Sequence, residues 1–76
     1  MGRTDEALRL FTRVIGSKPK FAAAHNEIGK IQMRNGAYDD AMHSFSRAIS
    51  SDPKTEYTRN LVLAVSRRGV PSEPVK

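Results

Sequence analysis

The sequence predicts an all-α chain of about four helices, laid out as antiparallel helix-turn-helix repeats. Three observations carry that prediction. Apolar residues recur every three or four positions through most of the chain, the spacing of one helix face. Turn signals separate the stretches, at Pro19, Asn35-Gly36 and Asp52-Pro53, residue types that end or reverse a helix. The chain also repeats itself. A shift of 34 positions places Gly2, Asp5, Ala7, Phe11, Arg13, Ile15, Ser17, Pro19 and Lys20 on identical residues at Gly36, Asp39, Ala41, Phe45, Arg47, Ile49, Ser51, Pro53 and Lys54.

Residues 4–17 read as the first helix. Thr4 or Asp5 is the expected N-cap, Asp5 and Glu6 suit the positive end of the helix dipole, and Pro19 marks the stop. Ala7, Leu8, Phe11, Val14 and Ile15 share one face. Phe21 to Asn35 reads as the second helix, with Ala24, Ile28 and Ile31 inward and Gly29 beside them. Tyr38 to Ser51 is the third, burying Ala41, Met42, Phe45, Ala48 and Ile49. Asp39, His43 and Arg47 fall one turn apart on it, the mark of a solvated face. Residues 54–68 form the fourth, with Tyr57, Leu61, Ala64 and Val65 on one face and Val62 and Leu63 alongside. These helices make one domain over 1–69. Pro71 and Pro74 argue against a further helix, so 70–76 is expected to be a flexible tail.

The order of small and large residues at Ile28-Gly29, Gly36, Tyr38, Ala41, Phe45, Ala48 and Pro53 resembles the tetratricopeptide repeat, a helix-turn-helix unit of about 34 residues. Gly29 and Ala41 permit close helix approach, Ile28 and Phe45 fill it, Gly36 allows the turn and Pro53 ends the second helix. His25 and Gln32 stand where the family pattern has Trp and Tyr. On this resemblance residues 22–55 are a complete repeat, and 4–17 is the second helix of a preceding one. Helix 54–68 is either a cap or the first helix of a next repeat. Its register stays open: an offset of 34 puts Leu63 in the slot of Gly29, whereas 33 puts Val62 there and Gly69 under Gly36.

Helix 4–17 then lacks its own first-helix partner, and the N-terminus reads as truncated within a repeat. Repeats of this kind bury their apolar faces against neighbours. Each large apolar side chain left uncovered forgoes roughly 1.5–3 kcal/mol. Self-association through Leu8, Leu10, Phe11 and Ile15 is therefore expected, as a homo-oligomer or by helix exchange.

Composition bounds the function further. The chain has 76 residues, 38% of them hydrophobic, and no cysteine, which fits one small domain without disulfides or thiolate metal sites. No stretch has the apolar length of a membrane span, and no signal peptide is visible in the sequence. The compartment is not determined by the sequence, cytoplasm being the default. His25 and His43 lie on different helices and no nucleophile elbow or phosphate-cradling loop is present. The expectation is a non-enzyme with no catalytic residue, no cofactor and no metal. His25 reads as a packing residue. The resemblance implies protein–protein interaction, an extended peptide or helix being held on the face of the first helices. Carried onto this chain, that face comprises Ala23, Asn26, Lys30, Met33 and Arg34, continued by Asn60 and by Arg67 or Arg68. The carboxylate-clamp set of chaperone-binding members is not reproduced, because Glu27 stands where an asparagine is wanted. Net charge of +5 leaves weak electrostatic binding to nucleic acid or another polyanion as a further alternative. Phe11, Phe21 and Phe45 are expected at packing or helix-start positions, offering no base-stacking platform.

Overall fold

A computed structural model describes the backbone of residues 2–69 and the side-chain environments of residues 5–69. It contains α1 (Gly2–Ser17), α2 (Ala22–Arg34), α3 (Tyr38–Ser51) and α4 (Thr55–Gly69). The expected tail at 70–76 lies outside the described residues. α2 is packed between α1 and α3, while α4 lies on α3 and reaches α2. α1 touches no helix but α2 among the described residues.

Several boundaries differ from the sequence reading. α1 begins at Gly2, so Thr4 and Asp5 lie inside its first turn and neither is the cap. Phe21 is the N-cap residue of α2 rather than part of it, and supplies no capping side chain. α2 ends at Arg34, where Gly36 takes φ +83, a backbone conformation glycine enters without a Cβ clash. Gly36 N–H then donates to Met33 O at 3.1 Å and Ala37 N–H to Gln32 O at 2.8 Å. That pair of bonds is the Schellman arrangement, which satisfies carbonyls left free at a helix end.

The core lies between α2, α3 and α4. Ala41, Phe45 and Ala64 are buried together with Met33, Met42 and Leu61 against them. Ala22, Ala48 and Tyr57 form a second cluster with Ile49. Gly29 is what lets α2 approach α3. A Cβ at Gly29 would lie 2.5 Å from Phe45 Cε1, and Phe45 is fully buried. Two polar bonds complete the packing of α2. His25 is buried in the slot expected for a packing aromatic, and its Nε2 donates to Pro19 O at 2.8 Å, tying the α1–α2 turn to α2. Ser44 Oγ donates to Gln32 Oε1 at 2.7 Å, linking α3 to α2.

On α4 the expected inward face is only partly inward. Tyr57 and Ala64 are buried, but Val65 is 47% exposed and joins Val62 and Leu63 on the outer side. Both expected registers fit the bounds of α4, since α2 shifted by 33 covers 55–67 and shifted by 34 covers 56–68. Asn60 bonds Asn26 at an interval of 34 residues.

Candidate peptide groove

α2 and α4 lie side by side over α3, and the cleft between them is built from few residues. Met33 and Arg34 lie three and four positions after Lys30, next to it on one side of the helix. Asn60 and Arg67 face them from α4, and the buried Phe45 ring lies under the floor. The cleft is open to solvent, with a volume of about 270 Å³.

Three cations border this cleft. Lys30 Nζ sits 3.3 Å from Glu27 Oε2, with both side chains well exposed; such surface pairs contribute little and exchange readily. Arg34 and Arg67 pair with no carboxylate among the described residues. No acidic residue lines the cleft. Met33 is half-buried against the Phe45 cluster and gives the cleft an apolar wall.

Four of the six candidate groove residues thus come together, namely Lys30, Met33, Arg34 and Asn60. Ala23 is exposed on the first turn of α2 and lines no part of this cleft. Asn26 is 2% exposed, with its carbonyl oxygen taken by Asn60 Nδ2 at 2.8 Å. Of the two arginines expected further along α4, Arg67 turns to the cleft, whereas Arg68 pairs with Asp39 of α3. Phe45 beneath the floor is itself fully buried, in keeping with the core position that its period assigns it.

The candidate self-association residues lie on α1, where no side chain is buried among those described. Leu8, Phe11 and Ile15 are half-buried and Leu10 is 55% exposed. At the α1–α2 turn Phe21 is 46% exposed between Lys18, Pro19 and Lys20. It stands at the helix start, one of the two kinds of position expected for it, with its ring open to solvent. Tyr38 is only half-exposed and Tyr57 is buried, so Phe21 has no fully exposed aromatic partner among the described residues.

The tetratricopeptide repeat family model matches residues 1–55. The chain belongs to the tetratricopeptide repeat family. No curated protein matches the sequence. Membership makes this tetratricopeptide chain a protein–protein interaction module of a typically non-catalytic family. The matched span takes in α1, α2 and α3; the α4 wall of the cleft, with Asn60 and Arg67, lies beyond it. Among the described residues no helix is long and apolar enough to cross a membrane.

Proposed function

We propose that this tetratricopeptide module binds an acidic, extended segment of a partner protein in the α2–α4 cleft. The observation that carries the reading is the placement of Lys30, Arg34 and Arg67 around a cleft that no carboxylate lines. Arginine presents two parallel N–H donors to a carboxylate, so Arg34 and Arg67 supply directed contacts and Lys30 a mobile charge. The bond to Asn26 uses the Asn60 amide as donor and leaves the Asn60 carbonyl oxygen for a peptide N–H. Met33 gives an apolar side chain of the peptide something to lie on.

The test is fluorescence anisotropy with labelled peptides that are acidic, neutral or basic but otherwise alike, in rising salt. The acidic peptide should bind tightest, and its affinity should fall as salt screens the contacts. Arg34→Glu with Arg67→Glu should weaken it by about tenfold or more, on the order of 1.4 kcal/mol. Equal binding of the neutral peptide, or unchanged binding by the double variant, overturns the reading. So does a single-stranded oligonucleotide that outcompetes the acidic peptide, which favours the polyanion alternative.

A further inference from the structure

The turn that joins α2 to α3 carries the pair Asn35-Gly36, and both residues are exposed. The side-chain carbonyl carbon of an asparagine, Cγ, is open to attack by the backbone nitrogen of the next residue. Glycine in that next position leaves the nitrogen unshielded, because it has no Cβ. A Cβ built on Gly36 meets no heavy atom within 4 Å beyond its chain neighbours, so nothing else crowds the approach.

The other two asparagines are placed differently. Asn26 precedes Glu27 and is 2% exposed. Asn60 precedes Leu61 and has its amide nitrogen bonded to Asn26. Both lie inside helices. Asn35 stands at the C-cap of α2, and its side chain makes no hydrogen bond among the described residues.

The folded turn opposes the reaction that its sequence favours. In a five-membered succinimide ring the Gly36 nitrogen eclipses Asn35 Cβ. Asn35 has ψ 0, so that nitrogen eclipses the backbone nitrogen of Asn35 instead. Gly36 N–H also donates to Met33 O at 3.1 Å, and Ala37 N–H to Gln32 O at 2.8 Å. Rotation about ψ has to break both bonds. Exposed helix ends open at far lower cost than a core. We infer that Asn35 is a site of spontaneous deamidation, gated by opening of the α2 C-terminal turn.

The chemistry needs only water. A base takes the Gly36 amide proton, the nitrogen bonds to Cγ, and the Cγ–Nδ2 bond breaks. Nδ2 leaves as ammonia, with a proton returned by solvent. Water then opens the ring at either carbonyl, giving aspartate by cleavage on the side-chain side and isoaspartate by cleavage on the backbone side. Both products put a carboxylate next to Arg34. Isoaspartate also runs the main chain through Cβ and Cγ, adding a methylene between Arg34 and Gly36. That extra atom draws the Gly36 and Ala37 N–H groups off the carbonyls that hold them.

The experiment is incubation of the full chain at physiological temperature and mildly alkaline pH, with peptide mapping by mass spectrometry over time. A gain of one mass unit should accumulate at Asn35 ahead of Asn26 and Asn60. A parallel sample in urea, where the turn is open, should convert faster by about tenfold or more, since opening no longer limits it. In the same urea Gly36→Ala should convert severalfold more slowly, because a Cβ shields the nitrogen. The isoaspartate fraction, separated and refolded, should melt below an Asn35→Asp chain, which has the charge without the methylene. No gain at Asn35 by the time the urea sample is fully converted overturns the inference. Equal rates with and without urea remove the gate and overturn it as well. So does conversion of Asn26 or Asn60 as fast as Asn35 in the folded chain, or a Gly36→Ala rate in urea equal to that of the parent.

Discussion

The side-chain amide of Asn60 donates to the carbonyl oxygen of Asn26 at 2.8 Å, joining residues 34 positions apart. The bond clips α4 to α2 beside the cleft. It also answers the needs of Asn26, a polar side chain only 2% exposed. A buried amide without a partner loses its hydration and gains nothing in exchange.

Asn60→Ala should therefore destabilise the fold by about 1–3 kcal/mol, the range for stranding a buried acceptor. The same change made in an Asn26→Ala background should do much less, because the stranded group is gone. Urea denaturation of the four chains in that cycle measures the coupling, expected at about 1 kcal/mol. Additive losses would show that the two amides do not depend on each other.

Gly29→Ala sets two effects against each other. Alanine in a helix interior gains about 1 kcal/mol over glycine by propensity. Here the added Cβ meets Phe45 at 2.5 Å, and the ring is fully buried, so the helices have to part; overpacking of this kind typically loses 1–3 kcal/mol. The expected net result is destabilisation, with the clash outweighing the propensity. Adding Phe45→Leu should make the glycine change milder than it is alone. A Gly29→Ala chain that melts higher than the parent would refute this account of the crossing.

Gly36→Ala acts through the backbone alone. No heavy atom lies within 4 Å of a Cβ built there, yet φ is +83. A non-glycine residue in left-handed backbone costs roughly 1–2 kcal/mol. Asparagine tolerates that region better than alanine, so Gly36→Asn should lie between alanine and the parent in thermal unfolding.

Why some of this was legible in the sequence and some was not follows from the range of each interaction. Gly36 announces its turn because the cause is local, a φ that only the chain around it determines. Gly29 and Phe45 could be placed at one crossing because the order of small and large residues from Ile28 to Pro53 resembles the tetratricopeptide pattern. Asn26 could not be read in the same way. Its stripe with Ala23, Lys30 and Met33 points away from Ile28, but where that stripe meets α4 an outward residue becomes a buried one. α4 has its one glycine, Gly69, at the last position, so nothing inside the helix marks the slot of Gly29, which Leu63 takes at an offset of 34 and Val62 at 33. The same tertiary fact divides Arg67, in the cleft, from Arg68, drawn to Asp39.

The two equivalent phenylalanines make the last prediction, since they share a sequence context and differ in cover. Phe45 is enclosed by α2, α3 and α4 and fully buried. Removing it empties a site that the surrounding helices cannot refill, and Phe45→Ala should destabilise by about 3–5 kcal/mol. That loss is comparable with the whole stability of a small domain, so substantial unfolding at room temperature is expected. Phe11 is half-buried and touched from one side. Water already reaches the ring, and truncation opens a surface rather than a cavity. Phe11→Ala should lose no more than about 1.5 kcal/mol, roughly half the transfer energy of a large apolar side chain. Circular dichroism during urea titration compares the two directly. If Phe11→Ala proves as damaging as Phe45→Ala, the Phe11 ring is covered as fully as the Phe45 ring and this account of the two sites is wrong.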